Sequence, residues 1–446
     1  MSKKTATRRP QSEKLVLIAL LNGIRVGHVY QNDSGTLWFE YLDEWRANPA
    51  AYPLSLSIPL TAADHPHQAI HAFLWGLLPD NERTLNAYGK LFGVSAGNAV
   101  ALLKHMGADC AGAVQFADPE SVADLERAGA NRGSIRWLTE SDIAKELKNL
   151  RERGIPANSR NTVGQFSLAG AQPKIALLED KGKWGRPSAR IPTNRILKPP
   201  SGDFAGFAEN EHFCLELAAE LQLGAVRSRV MQFDDEVAIV VDRFDRAGRG
   251  GAYTRIHQED ICQALSVMPN RKYQNEGGPG IGEIIALLRE ASTKPDDDVQ
   301  RFVRVTALNW VLAATDAHAK NYALLHSAGV VRLAPFYDML SYLPYADESM
   351  RGVKLAMRIG SKYLVKQVSG RQWLALAKDT RLSADTVLDN VRHVLNLLPA
   401  AVQKVAERAL QNGLAEEPIR TLHNAIIDRV ADCTVIMQRA TASVSR

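Results

Sequence analysis

The segment Thr315-Asp316-Ala317-His318-Ala319-Lys320-Asn321 concentrates polar and ionisable side chains directly after an apolar stretch. Asp316 and Asn321 stand in the D-x-x-x-x-N spacing of a kinase catalytic loop. At that spacing a carboxylate orients or accepts the proton of an attacking hydroxyl, while the amide oxygen holds magnesium. Lys320, between them, suits the screening of charge on a transferring phosphoryl group. Further on comes Pro335-Phe336-Tyr337-Asp338. A second acid suits an ion that takes one or two carboxylates plus phosphate oxygens. The spacing alone also fits a helix C-terminus with an Asp/Asn turn and a surface acid at a strand end. Set between a buried helix and that second acid, it reads as phosphoryl transfer.

A phosphoryl donor needs a cradle and a cation. Neither a Walker A sequence nor a G-x-G-x-x-G loop is present. The nearest substitute is Ser167-Leu168-Ala169-Gly170-Ala171-Gln172-Pro173-Lys174, whose small residues let backbone N–H groups approach anionic oxygens. An ordinary turn explains the same residues. Lys198 ends the apolar run Ile196-Leu197 and could reach phosphates as a point charge, or snorkel to solvent. Val240-Val241-Asp242-Arg243-Phe244-Asp245-Arg246 ends another strand-like run, either a hinge beside an adenine or a salt-bridged strand end.

The elements that must position these groups are legible from periodicity. Residues 14–41 read as a β-meander around the Asn22-Gly23 hairpin signal, and Leu54, Leu56 and Ile58 alternate like a half-buried strand. Helical patterns occupy 68–90 and 96–106, and a strand at 112–116 closes a first unit at 14–117. Residues 118–160 read as a connector holding one short helix near 139–151. A unit at 161–245 predicts strands at 174–179, 195–198, 226–232 and 236–242 with a helix at 209–222. The stretch 246–446 reads as a helical lobe. Within it, Arg301–Thr315 is apolar nearly all round and so buried, two short strands fall near 322–333, and helices fill 371–440. The fold class is α/β (α+β), two-lobed.

Composition narrows the class of protein. The chain has 446 residues, 46% hydrophobic and 23% charged, which fits a soluble globular protein and excludes collagen, coiled coil and wholesale disorder. The longest apolar run, Leu15 to Leu21, is far short of the ~18 residues of a membrane span, and reads as a buried first strand rather than a secretion signal. Net charge is +5, but the basic tail at 1–13 and Lys14 supply most of it, so the body is nearly neutral. Any DNA contact must then be local. Cys110, Cys214, Cys262 and Cys433 form no CxxC pair and read as reduced thiols of a cytoplasmic protein.

Taken jointly, these stretches resemble the HipA family of toxin kinases, the toxin half of the HipBA toxin–antitoxin module. L-N-G-x-R-V-G, P-L-S-L-S-I-P-L, L-L-P-D-N, S-L-A-G-A-Q-P-K, D-R-F-D-R, Q-E-D-I-C-Q, G-G-P-G-I, T-D-A-H-A-K-N, F-Y-D and V-K-L-A-M occur in the family's order. The resemblance implies a protein-kinase-like fold and a serine/threonine protein kinase using ATP and Mg2+. It implies Asp316 as catalytic base, Asn321 and Asp338 as metal ligands, and Lys198 as the phosphate-binding lysine. Ala169, Gly170, Ala171, Gln172, Pro173 and Lys174 would form the phosphate loop, and Asp242, Arg243 and Phe244 the adenine pocket. His318, Ala319, Lys320 and Tyr337 would lie close to the nucleotide. Ser167 falls on the serine that such kinases autophosphorylate, which would place about −1.5 to −2 charge beside the phosphate site.

The implied partners are a HipB-like helix-turn-helix antitoxin, operator DNA through that complex, and a protein substrate, an aminoacyl-tRNA synthetase being the leading candidate. Lys378 and Arg381 fall where the family touches operator phosphates. Three positions depart from the family pattern: Pro173 where Glu is frequent, Asp242 for Glu, and Ala317 for Gly. Two other functions stay open on the residues, a small-molecule phosphotransferase and a non-catalytic DNA-binding co-repressor. Asp296, Asp297 and Asp298 read as a solvated helix start, and His65, His67 and His71 as capped or solvated surface groups.

Overall fold

The computed structural model describes residues 14–126, 133–156, 166–188, 191–200, 206–249, 252–347 and 349–444; the basic tail at 1–13 lies outside them. The first unit is a four-stranded antiparallel sheet in the spatial order Leu37–Tyr41, Ile24–Gln31, Lys14–Leu21, Val114–Ala117. Its first hairpin turns on Asn22 and Gly23, with φ of 51° and 78°. Positive φ at both positions matches the right-handed twist of the flanking strands. Helices His67–Gly76 and Ala99–Met106 bury Ile70, Phe73, Leu74, Leu102 and Leu103 in the core of this unit. The helical pattern at 68–90 breaks at Pro79, and Asn81 caps a separate helix, Glu82–Phe92.

Two expectations fail in this unit. Leu54 to Ile58 is a turn closed by the Ser55–Ile58 bridge, not a strand. The Tyr41 hydroxyl accepts from Leu54 N and donates to Ile58 O, and Glu259 accepts from Leu56 N at 2.9 Å. Side chains from elsewhere satisfy this backbone, so it needs no neighbouring strand. His65 is buried beside Phe39 and Tyr41 instead of solvated. His67 Nδ1 accepts from Leu37 N, and His71 Nε2 accepts from Trp75 Nε1.

The second unit is a six-stranded antiparallel sheet in the order Ile135–Leu138, Lys183–Pro187, Ile175–Asp180, Arg195–Lys198, Glu236–Asp242, Ser228–Phe233. Side-chain alternation along Glu236–Asp242 decides its two faces. Val240 packs with helix Glu140–Arg153 through Ile143, Leu147 and Leu150, while Ile239 and Val241 join helix Phe207–Glu220. The stretch 118–160 is therefore more than a connector, because Ile135–Leu138 pairs with Lys183–Pro187 and Glu140–Arg153 covers the sheet.

The remaining lobe packs around helix Pro295–Val311, where Trp310 meets Trp373 with ring centroids 5.7 Å apart. Long helices Ala384–Gln411 and Glu416–Val444 complete it. The lobe is less purely helical than its sequence suggests: it also holds the hairpin Arg246–Arg249/Ala252–Arg255 and the sheet His257–Asp260, Ala323–Ser327, Val330–Leu333. Asp298 is not a solvated helix start. It is fully buried, bound by Arg332 at 2.9 and 3.0 Å and by Ser292 at 2.7 Å.

A buried joint binds the first unit to the rest. Asp109 Oδ1 accepts from Arg246 at 2.9 Å and Arg255 at 3.1 Å, and Asp109 Oδ2 accepts from Thr193 at 2.8 Å. Arg243 donates to Asp245, Thr193 and the Cys110 carbonyl, and Asp245 accepts from Gly112 N at 2.6 Å. Guanidinium forks suit this role, since their planar donors saturate two carboxylate oxygens at once. All four cysteines are buried and unpaired. Among the described residues, no helix is long and apolar enough to cross a membrane.

Candidate active site

A cleft of about 640 Å³ opens where the first unit, the six-stranded sheet and the helical lobe meet. Helix Pro295–Val311 ends there because Ala313 turns left-handed at φ 50° and redirects the chain. The loop that follows closes on itself. The Asp316 carbonyl accepts from His318 N at 2.8 Å and from Asn321 Nδ2 at 2.7 Å. With the Asn321 amide nitrogen used inside the loop, its oxygen is the end left to meet a cation. The Asp316 carboxylate is half exposed in the cleft. Burial lifts its pKa above the ordinary carboxylate value, although the Tyr273 hydroxyl, which donates to Oδ1, opposes the rise.

Asp338 reaches the same cleft from the other side, in a left-handed backbone conformation at φ 57°. Such strain in a residue with a Cβ persists only where the surroundings enforce it, and it gathers at functional sites. Lys198, at the end of strand Arg195–Lys198, donates to Asp338 Oδ1 and to Glu211 Oε1, each at 2.7 Å. Glu211 sits fully buried on helix Phe207–Glu220. Burial would raise the Asp338 carboxyl, but Lys198 and Lys174 overcome this and hold it well below the usual range. Burial also opposes charge on Lys198, and the two carboxylates hold its ammonium charged nonetheless. For Glu211 burial prevails and pushes the carboxyl up.

The loop Ala169 to Lys174 lines the cleft as expected. Gly170 adopts φ 111°, a backbone conformation that residues with a Cβ rarely take, so the turn favours glycine. Lys174 Nζ donates to the Ala169 carbonyl at 2.9 Å, Gln172 donates to the Pro199 carbonyl, and Asp80 N donates to the Gly170 carbonyl. Burial, reinforced by Lys198, brings Lys174 down to about 8. Phe244 and Tyr337 stack at 5.5 Å and give the cleft an apolar shelf. Asp242 lines the cleft but shares its carboxylate with Arg195 at 3.2 Å.

Three expected roles change. The Arg243 guanidinium is held in the joint by Asp245, Thr193 and Cys110, so the side chain is a strut although the residue lines the cleft. Lys320 is buried, its Nζ donating to Asp260 at 2.7 Å and to the Gly76 carbonyl at 2.8 Å, so it ties the loop to the first unit instead of screening phosphate. Ser167 is fully buried and donates to the Leu77 carbonyl at 2.7 Å, so in this conformation its hydroxyl is turned away from any donor. Lys378 and Arg381 are exposed at the end of helix Gly370–Thr380, outside the cleft.

Sequence reasoning missed Glu211, Tyr273, and the Asp80–Lys272 ion pair at 2.9 Å. Glu211 lay inside a recognised helix following Lys198 and Asp80 inside L-L-P-D-N, where neither was given a role; Tyr273 and Lys272 carried no local signal, because their partners are remote. Among the described residues no trio of His, Cys, Asp or Glu forms a metal cluster. That suits an ion completed by phosphate oxygens. The donor set fits a magnesium nucleotide on another ground too. Glu211 Oε2, Asp80 Oδ1 and both His318 ring nitrogens are buried without a hydrogen bond, His318 Nε2 lying 3.6 Å from Asp316 Oδ1, a condition a ligand relieves. Burial lowers His318 to about 3, so it is a neutral imidazole at pH 7.

Comparison with known proteins agrees with this geometry. Residues 17–117 match the HipA N-terminal domain and residues 166–405 the HipA-like C-terminal domain. Y4mE of Sinorhizobium fredii, a kinase by provisional name, is 34% identical over 393 residues, covering 88% of this chain and 92% of that protein. The serine/threonine-protein kinase toxin HipA of Shewanella oneidensis is 25% identical over 407 residues, covering 88% and 90%. A solved complex of Shewanella oneidensis HipA, HipB and operator DNA superposes with a TM-score of 0.79 at 22% identity, covering 95% of this chain and 99% of that one. With both domains matched and a relative aligned over most of its length, the chain belongs to the HipA family of kinases.

Proposed function

We propose that the chain is a toxin-type serine/threonine protein kinase that transfers the γ-phosphoryl group of ATP to a protein hydroxyl. The observation that supports this most is Lys198 bridging Glu211 and Asp338 in the cleft that also holds Asp316 and Asn321. It is the lysine–glutamate pair and metal-binding aspartate of a phosphotransferase. Bound ATP and magnesium supply the leaving group and the Lewis acid. Asn321 and Asp338 would hold the metal, Lys198 the phosphates, and the Ala169–Lys174 loop would present its amides. The Phe244–Tyr337 shelf gives an adenine an apolar face. Asp316 orients the acceptor hydroxyl and takes its proton, so most of the catalysis is positioning and charge stabilisation.

The toxin role, and restraint by a HipB-like antitoxin that carries the chain to operator DNA for autoregulation, follow the relatives' character. In this reading the protein is cytoplasmic, inhibits translation by modifying an aminoacyl-tRNA synthetase, and promotes persistence. Autophosphorylation of Ser167 would require its loop to leave Leu77 first, which would make it a slow switch towards inactivity. The test is incubation with labelled ATP, magnesium and a cell lysate, comparing wild type with Asp316→Ala. Label on serine or threonine of a protein, absent with the variant, is the expected result. Label on metabolites alone would indicate a small-molecule phosphotransferase, and absence of ATP binding in calorimetry a DNA-binding co-repressor.

A further inference from the structure

We propose that Tyr273 holds the acceptor position at Asp316, so that a protein hydroxyl reaches the carboxylate only by displacing it. The inference rests on the kinase reading of the cleft. A general base must lie within hydrogen-bond reach of the proton it takes. In this structure the hydroxyl in that place is the chain's own, since Tyr273 Oη donates to Asp316 Oδ1. The phenol ring stands edge-on to His318, with centroids 4.8 Å apart at 89°, and His318 Nε2 lies 3.6 Å from the same carboxylate oxygen. One side of Asp316 is thus closed by the chain itself.

The tyrosine does not ride on a loose lid. On one side Lys272 is ion-paired to Asp80 of the first unit at 2.9 Å. On the other, Gln274 Oε1 accepts from Arg358 N of strand Lys354–Ile359 at 2.8 Å. Gly278 is pressed so closely on the loop that a Cβ would meet the Arg271 carbonyl at 2.1 Å. With its neighbours anchored on both sides, the half-buried Tyr273 yields by rotating its side chain and not by moving the whole loop. Substrate choice then includes the ability to replace one hydrogen bond: an acceptor must bring its hydroxyl deep enough to turn the phenol out. In the resting enzyme the same contact occupies one oxygen of a carboxylate that is otherwise half exposed, so a water must compete with the phenol for Oδ1, and futile ATP hydrolysis is limited.

The test uses the full chain with ATP and magnesium and no protein acceptor. Tyr273→Phe keeps the ring and frees Asp316 Oδ1 for water, so ADP formation should rise about two- to tenfold, the weight of one hydrogen bond, with unchanged ATP affinity in calorimetry. In the nucleotide-free chain, 3-fluorotyrosine placed at position 273 should give a fluorine resonance that moves on Asp316→Asn. Unchanged or slower ADP formation at unchanged ATP affinity, or a resonance indifferent to Asp316→Asn, would overturn the proposal and leave the kinase reading standing. A wild-type chain that binds no ATP would remove both.

Discussion

Two of the buried charge clusters among the described residues, the joint and the cleft, are built differently. In the joint, Asp109 and Asp245 face Arg243, Arg246 and Arg255, and among the described residues no side-chain donor or acceptor of the two acids, Arg243 or Arg246 is left without a partner. In the cleft, a lysine serves two acids, one Glu211 oxygen and both His318 nitrogens make no hydrogen bond, and Asp338 is held in a strained backbone. Saturation marks the cluster that holds units together. Incomplete saturation beside a cavity marks the one that awaits a ligand. The choice of cation follows, since an arginine fork completes a fixed pair, whereas a lysine point charge can move from carboxylate to phosphate.

The contrast breaks most sharply if one acid from each cluster is changed. Asp316→Asn should lower ADP formation and protein phosphorylation by roughly 10²–10⁴ if the residue is the general base, while thermal unfolding barely shifts. Turnover at the wild-type level would end its assignment. Asp109→Ala should do the reverse, costing about 3–5 kcal/mol of stability by leaving buried guanidinium groups uncompensated. Urea unfolding measures it, and a loss below ~1 kcal/mol would show the joint to be dispensable.

Acid tests the joint through Asp109. Burial would raise Asp109, but Arg246, Arg255 and Arg243 override it and depress its carboxyl well below the usual range. A depressed carboxylate contributes stability that is full above the unfolded value near 3.9 and is lost as pH falls through the folded one. Melting temperature should therefore drop below about pH 4 in the wild type, and less steeply in Asp109→Asn. Equal slopes for the two proteins would mean that other groups govern acid unfolding.

Smaller effects sharpen the boundary between the regions. Glu211→Gln removes a charge whose second oxygen is already unpaired, so it should reduce phosphotransfer about tenfold through Lys198 alignment and leave unfolding nearly unchanged. A large stability loss instead would move Glu211 into the structural class. Asp242→Ala lies between the two clusters with its part-exposed carboxylate on Arg195. Its effect on ATP affinity should stay within about fivefold, read by calorimetry; a greater loss would make Asp242 a direct adenine contact.

Much of the kinase core was legible because its signals are local. Arg301–Thr315 is apolar on nearly every face, so it had to be buried, and the loop that follows inherits a fixed position. Asp316, Asn321 and Asp338 follow within one supersecondary stretch, and the structure brings all three to one cleft. Strand Arg195–Lys198 falls on the residues its pattern predicts. The misread segments share a cause. Leu54 to Ile58 alternates like a strand but takes its hydrogen bonds from Tyr41 and Glu259, and the pairing partner of Ile135–Leu138 is a strand far along the chain.

Residue type and short spacing alone determined the chemistry of this protein: two acids, an amide and a lysine, each at the end of an apolar element that must be buried. Tertiary structure alone decided which ionisable groups are free to use it. Lys320 is consumed by partners 60 and 244 residues away, Tyr273 meets Asp316 across 43 residues, and Ser167 is sealed by Leu77 from 90 residues back. Whether a charge is a tool or a strut depends on desolvation and on what stands within about 3 Å, and the linear order of residues does not encode either distance.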